Sequence, residues 1–463
     1  MPRYDVAIIG GGPGGYVAAI RAAQLGLKVA LVEKERLGGL CLNWGCIPSK
    51  ALLFNAELVR LFQRAAEFGI TYDNLRLDVG QAVDRSRQIA DRMVKGVEFL
   101  LEKNKVKVVK GAGRLKSGNE VAVEPTGEVV EADHIILATG GVARSLPGVE
   151  IDGKTVITSR QALELREIPE SIAIVGAGPV GAEFAYFYRA YGSQVTLIEM
   201  LDHLLPLEDE EISRQLERSF RQQGIKYLTG ARVEGLRKGR GKPRLAVSMG
   251  GSGQEVAADR VLMGIGMAPN SAGLGLEELG VELDDGFVKI DGQMRTSLPG
   301  LYAVGDVTGK LMLAHVASAQ GVAAVESIAG LNPPELNYEK MPRCTYCQPQ
   351  VASLGLSEAQ ARERGHQVKV GRFPFRANGR ALAIGATAGM VKLVVDAEYG
   401  EILGYHIIGP EATELLAEAS LGGTLEATSR ELGWAVHAHP TLSEVVREAA
   451  LAVEGRAIHF WSE

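Results

Sequence analysis

Short apolar runs broken by glycine clusters set the rhythm of the first half of the chain. Residues 4–9 are one such run, followed by Gly10-Gly-Gly12-Pro-Gly-Gly15, a helical pattern from Tyr16 to Leu25, and a second run, Lys28-Val-Ala-Leu-Val-Glu33, that ends in an acid. The pattern predicts strand, tight turn, helix and strand, the context in which a glycine triplet acts as a dinucleotide fingerprint. Glycine at 10, 12 and 15 permits the turn and lets backbone approach a pyrophosphate at the helix N-terminus. Glu33 is placed to accept hydrogen bonds from a ribose diol.

The device recurs. Ser171-Ile-Ala-Ile-Val precedes Gly176-Ala-Gly178-Pro-Val-Gly181 and a helix, and Gln194-Val-Thr-Leu-Ile-Glu199 again ends in an acid. The acid stands 23 residues after the first glycine in both copies, Gly10 to Glu33 and Gly176 to Glu199. One glycine triplet arises easily by chance; two in full register do not. Two such sites in one chain point to a flavoprotein exchanging electrons with a nicotinamide. Glu199 repels a 2′-phosphate and no Arg or Lys follows it closely, which selects NAD over NADP.

Further buried-strand patterns end in small residues, 132–140 with Thr139-Gly140 and 259–266 with Gly266, one closing each nucleotide unit. A third, 296–306, ends at an exposed acid, Asp306, placed to bind a ribityl hydroxyl or to make a turn. From about residue 341 the pattern changes. Segments 351–356, 390–396 and 402–409 read as strands with hairpin-like connections, accompanied by helices over 411–421 and 442–453. This is an α+β module with no third fingerprint, following two Rossmann-like α/β units.

Composition narrows the classes. The 463 residues are 46% hydrophobic and 23% charged, with a net charge of −6 and no basic stripe for nucleic acid. No apolar run is long enough to span a bilayer. The first strand begins almost at once, leaving no room for a targeting segment, so cytoplasm is the expected location. Four cysteines in so long a chain are no secreted framework. Two of them, Cys41 and Cys46, stand five apart in Cys41-Leu-Asn-Trp-Gly-Cys46-Ile-Pro-Ser-Lys50. A bridge over so short a loop constrains the unfolded chain little. The pair reads as a redox couple, and Lys50 with a nearby helix start would favour a thiolate. The bland alternative is two cysteines packed as small hydrophobes.

A dithiol substrate needs a base, and His437-Ala-His439-Pro440-Thr-Leu-Ser-Glu444 offers two histidines and an acid. Spacing alone does not choose between them.

With the two fingerprints, CLNWGCIPSK at 41–50, LATG at 137–140, GD at 305–306 and HPTLSE at 439–444, the chain resembles the pyridine nucleotide–disulfide oxidoreductases over essentially its full length. Within them it is similar to the dihydrolipoamide dehydrogenases. The resemblance implies FAD in the first unit and NAD in the second. It implies an FAD-binding domain over 1–147, an NAD-binding domain over 148–270, a segment 271–340 completing the first, and an interface domain over 341–463 that makes a homodimer. Cys41 is then the interchange thiol that meets lipoamide, and Cys46 the thiol in charge-transfer contact with the flavin. Lys50, paired with Glu183, lies by flavin N5, and Asp306 and the Ala314 backbone contact FAD. His439, backed by Glu444, acts from the opposite subunit with a cis bond before Pro440, and His437 is structural. Lipoyl domains and the E2 subunit of a 2-oxoacid dehydrogenase complex are the implied partners.

Two features depart from the pattern. Met267 stands where the family commonly has arginine, which removes an expected basic contact near the cofactors. Cys344-Thr-Tyr-Cys347 has no family counterpart. Read as a strand, its two cysteines face opposite ways, and no metal ligand set completes them. Rival readings are an NAD-linked reductase of another small disulfide, a mercuric reductase (disfavoured by the missing C-terminal cysteine pair), a docking subunit, and a cysteine-based metal or redox sensor without flavin.

Overall fold

The computed structural model describes residues 3–239 and 241–461, which fall into two compact units. One comprises the chain up to residue 52 with 80–144 and 266–338; the other comprises 53–79, 145–265 and the chain from 339 on.

The first unit is built on a seven-stranded sheet. Strand β1 (Arg3–Ile9) pairs in parallel with β2 (Val29–Glu33) on one side and β3 (Glu128–Leu137) on the other. Strand Leu301–Ala303 also runs parallel to β3, while Glu120–Glu124 and Ala112–Ser117 extend the sheet antiparallel. The central strands are Val/Ile/Leu runs because both faces are covered. Helix α1 (Pro13–Gln24) buries Gly15, Ala18, Ala19 and Ala22, a small-residue stripe at helical spacing. Helix Ala314–Ile328 lies against α1 so closely that a Cβ on Gly321 would stand 2.5 Å from the Gly14 carbonyl. Helix α2 (Cys46–Gln63) starts at the second cysteine.

The second unit repeats the arrangement. Strand β4 (Ser171–Val175) is followed by α3 (Pro179–Ala190), β5 (Gln194–Ile198) and α4 (Glu210–Gln222), and β4 pairs in parallel with β5 and with β6 (Arg260–Met263). The strand, helix and strand expected at both fingerprints are present. The segment 231–257, for which no pattern was read, forms a three-stranded antiparallel sheet.

The C-terminal module is a five-stranded antiparallel sheet of β7 (Arg343–Thr345), β8 (Gln350–Gly355), β9 (Val368–Pro374), β10 (Met390–Asp396) and β11 (Ile402–Gly409), in the order β7-β8-β11-β10-β9. Helices α5 (Ala412–Thr424) and α6 (Glu444–Val453) pack with it into one core around Phe373, Tyr405 and Val445. The register brings Arg343, Ser353, His406, Lys392 and Arg372 into a single row across all five strands. Acids of and around the start of α4 meet this row. Glu208 lies 3.4 Å from Arg343, Asp209 2.9 Å from Lys392, and Glu211 2.9 Å from Arg372.

Cys344 lies in β7, but Cys347 lies beyond its end, so the strand reading of that pair holds for one cysteine only. The Cys347 thiol is buried and donates to the Pro349 carbonyl at 3.3 Å. Among the described residues no helix is long and apolar enough to cross a membrane, and no His/Cys/Asp/Glu group could hold a metal ion.

Candidate active site

The two glycine turns are near copies at atomic detail. Gly10 has φ +106° and Gly176 +95°, and a Cβ on either would strike a backbone oxygen, Ala138 O at 2.3 Å or Gly264 O at 2.4 Å. A Cβ on the third glycine would collide with the first glycine's own carbonyl, at 1.8 Å for Gly15 and 1.9 Å for Gly181. These four glycines are structural necessities of the turn. The middle ones differ: the nearest atom to a Cβ on Gly12 is 3.9 Å away, and Gly178 has nothing within 4 Å. Both are helix N-caps with no side-chain cap bond and proline next. The backbone at 12 and 178 is therefore bare where a pyrophosphate would approach the N–H groups.

The two acids act alike. Glu33 accepts from the Gly11 N–H (2.6 Å) and the Glu35 N–H (2.7 Å); Glu199 accepts from the Ala177 N–H (2.7 Å) and the Leu201 N–H (3.0 Å). Each carboxylate thus ties its strand end to the glycine turn, a structural role that spacing alone did not reveal.

Other expected cofactor residues cluster in the first unit. The Thr139 hydroxyl is buried and finds no partner among the described residues, while the Thr139 carbonyl accepts from Asn270 Nδ2 (3.1 Å). Gly140 (φ +72°) and Gly266 (φ +95°) leave open space at their Cα. Asp306 is half-buried, not exposed as the strand-end pattern suggested, because it stands in a short 3-10 turn, Gly305–Thr308, behind strand Leu301–Ala303. Burial pushes its carboxyl up to about 6. A half-buried acceptor and an orphaned hydroxyl fit a polyol-bearing cofactor such as FAD. Ala314 opens the helix that packs on α1.

At Met267, where the family commonly has arginine, the ladder partner is Ala143, and the next residue, Arg144, donates from Nε to the Met267 carbonyl at 2.8 Å.

Cys41 sits in the short helix Gly39–Trp44 and Cys46 opens α2. The neighbouring Cys46 thiol and burial push the Cys41 thiol up, against the pull of Lys50. Burial and the two cysteines likewise raise the Tyr16 phenol, which stands beside them. Cys46 opens an 18-residue helix at its positive end, with Lys50 one turn on. Asn43, wholly buried between the cysteines, was not singled out by pattern. Its Nδ2 donates to the Leu37 and Gly39 carbonyls (2.9 and 3.0 Å) and pins the loop that carries Cys41.

In the second unit, Glu183 is buried on α3 and accepts from the Tyr346 N–H at 3.0 Å. His439 Nδ1 lies 2.9 Å from Glu444 Oε1, and the Thr441 N–H donates to Glu444 Oε2 at 2.9 Å. Burial raises the Glu444 carboxyl, but the Thr441 bond and His439 outweigh it and leave it below the usual range. The His439–Pro440 bond is cis, and the His439 side chain is 77% exposed. The ring has one nitrogen held and one edge presented. His437 is the reverse: both ring nitrogens are engaged, by Glu418 (2.9 Å) and the Ala435 carbonyl (3.0 Å), and the Glu418 bond raises its pKa.

A family model described as pyridine nucleotide-disulphide oxidoreductase matches residues 4–321, and a model of that family's dimerisation domain matches residues 341–450. A dihydrolipoyl dehydrogenase of Mycobacterium leprae is 49% identical over 469 positions, covering 99% of this chain and 100% of its own. One from Bacillus subtilis is 44% identical over 471 positions, covering 99% of each. The crystal structure of LpdA from Mycobacterium tuberculosis is similar with a TM-score of 0.89 at 28% identity, over 97% of this chain and 99% of that one.

Proposed function

The chain belongs to the pyridine nucleotide-disulphide oxidoreductase family, and from that premise we propose that it oxidises dihydrolipoamide with NAD+ through the Cys41–Cys46 pair. It is an FAD- and NAD-dependent oxidoreductase acting on a dithiol, and its dimerisation domain makes it a homodimer. The observation that carries the reading is the placement of the two thiols, Cys41 in the short helix Gly39–Trp44 and Cys46 at the head of α2, in the first glycine turn's unit.

The chain's own residues divide the work. His439 takes the proton of the first substrate thiol, and Glu444 holds the ring by Nδ1 and stabilises its cation. The thiolate attacks Cys41 in the oxidised Cys41–Cys46 disulfide; the new mixed disulfide forms as the Cys46 thiolate leaves, helped by the helix end and Lys50. The second substrate thiol, losing its proton, attacks the substrate sulfur of the mixed disulfide, closes the lipoyl ring and frees Cys41. Two electrons then reside on the pair. FAD, held by the first glycine turn with Thr139 and Asp306, would supply the two-electron acceptor for the dithiol and the hydride donor for NAD+.

Gly10, Gly12, Gly15, Glu33, Lys50, Thr139, Gly140, Asp306 and Ala314 are proposed to hold FAD, and Gly176, Gly178, Gly181, Glu183, Glu199 and Gly266 to serve the nicotinamide side. The division at 147, 270 and 340 into FAD, NAD, FAD-completing and interface segments belongs to the same proposal. So do the supply of His439 by the partner subunit, docking to an E2 subunit that presents lipoyl domains, and a cytoplasmic location. Support for the docking is the family likeness; co-sedimentation with a peripheral subunit-binding domain tests it.

The decisive assay mixes the FAD-loaded homodimer with dihydrolipoamide and NAD+ and follows NADH. Turnover abolished by Cys41→Ser and by Cys46→Ser, with flavin retained, supports the reading. A flavoprotein inert to dihydrolipoamide that reduces another disulfide with NADH would sink the substrate and keep the family.

A further inference from the structure

A groove of about 500 Å³ lies between α4 and the C-terminal sheet, both in the second unit. The register makes its floor: Pro374 on β9, Met390 on β10 and Ile408 on β11 are neighbours across three strands. One face of α4 makes its roof, with Gln215, Arg218, Ser219 and Gln222 at helical spacing. Gln215 Nε2 reaches the Met390 sulfur at 3.8 Å. Phe460 closes a wall; its ring meets Phe373 edge-on at 6.1 Å and carries the Arg376 guanidinium at 5.1 Å.

Charge in this groove is unbalanced. Its one carboxylate, Glu211, is taken up by Arg372 (2.9 Å) and Lys392 (3.1 Å). Arg218 and Arg376 also line it, and among the described residues neither has a carboxylate partner. Two unneutralised guanidinium groups therefore border an apolar floor in a chain of net charge −6. Arginine forks match planar oxyanions bidentately. The volume falls in the range of about 300–1,000 Å³ typical of ligand clefts. The Thr387 and Ser219 hydroxyls add neutral donors on the lining. None of these residues belongs to the glycine turns, the dithiol or the His439–Glu444 pair.

We propose that this groove binds a small organic anion, its phosphate or carboxylate group met by Arg218 and Arg376 and its flat apolar body laid over Pro374, Met390 and Ile408. The headgroup needs the arginines and the body needs the floor, so a ligand with both binds more tightly than either fragment.

Calorimetry on the FAD-loaded homodimer tests this with four probes. 1-Naphthyl phosphate and 1-naphthoate carry the two headgroups, inorganic phosphate is headgroup alone and 1-naphthol is body alone. At least one naphthyl anion is expected to bind at one site per chain, at least about tenfold more tightly than either fragment. The tighter of the two identifies the headgroup. Arg218→Gln and Arg376→Gln, both on exposed side chains, are each expected to weaken it about tenfold while NAD+ reduction by dihydrolipoamide is unchanged. Gln222→Trp, which obstructs the groove and leaves both arginines in place, is expected to abolish binding. The proposal is overturned if neither naphthyl anion exceeds the fragments, or if binding survives all three substitutions.

Discussion

Lys392 on β10 and Asp209 at the N-cap of α4 are both almost wholly buried, and the ammonium lies 2.9 Å from one carboxylate oxygen and 3.0 Å from the other. Burial disfavours both charges, yet the pairing prevails on each side: Lys392 titrates above its ordinary range and Asp209 below its own. Glu211 and Glu358 stand 3.1 and 3.0 Å from the same ammonium, so one lysine meets three carboxylates, two of which Arg372 also reaches.

Removing that lysine leaves the buried Asp209 carboxylate without its cation, while Glu211 and Glu358 keep Arg372. Lys392→Met is expected to cost about 3–5 kcal/mol, the usual penalty for breaking a buried pair from one side. Lys392→Met with Asp209→Asn is expected to recover part of the loss. Urea midpoints of the FAD-loaded homodimer decide it: a single variant unfolding at the wild-type midpoint would show that the pair contributes nothing.

Two histidines of the same module are expected to bend the stability profile in opposite directions. His406 is fully buried, donates from Nε2 to the Leu356 carbonyl (2.8 Å), and faces Glu208, Asp209 and Lys392; burial depresses its pKa. The folded chain refuses a proton that the unfolded chain takes near pH ~6.5, so stability falls as pH drops from about 6.5 through the folded pKa. His437 is raised by Glu418, so its contribution is complete below about pH 6.5 and is lost as pH rises through its folded pKa. Melting curves at pH 5 to 8 should show His406→Gln flattening the acid side and His437→Gln the alkaline side. Unchanged slopes in both would refute these assignments.

What was legible in the sequence is what neighbouring residues determine. Gly10 and Gly176 betray their turns because only glycine tolerates φ near +100° with a carbonyl 2.3–2.4 Å from a Cβ position. The Cys41–Cys46 spacing is equally local, whereas the choice of His439 with Glu444 over His437 came from the family resemblance. The row Arg343, Ser353, His406, Lys392, Arg372 was invisible, since strand register alone assembles residues scattered over 343–406. Register also hid Arg144 behind Met267. Asp306 was misread as exposed because an acid after a strand commonly ends in solvent, whereas here a 3-10 turn folds it inward.

The glycines at 178 and 181 should fail differently. In Gly181→Ala the new methyl would stand 1.9 Å from the Gly176 carbonyl, so the turn must open and the melting temperature fall by several degrees. Gly178→Ala meets nothing within 4 Å and should melt within about 2 °C of wild type, while the KM for NAD+ rises because the methyl occupies the bare approach to the helix end. Equal NAD+ kinetics in Gly178→Ala and wild type would mean that the pyrophosphate sits elsewhere.

The same separation of chemistry from scaffold applies to the base. His439→Gln removes the proton acceptor at an exposed position, so kcat with dihydrolipoamide should drop by roughly 10²–10⁴, the usual worth of a positioned general base. Oxidation of NADH by a small one-electron acceptor, which bypasses the dithiol, should be unchanged. Glu444→Gln keeps a carbonyl for Nδ1 but loses the anion that stabilises the imidazolium, so its loss of kcat should be smaller than that of His439→Gln. His437→Gln, whose ring is engaged at both nitrogens, should leave kcat within about twofold of wild type if His439 alone is the base. A loss in His437→Gln matching that in His439→Gln would assign the effect to the loop as a whole and remove His439 from its role.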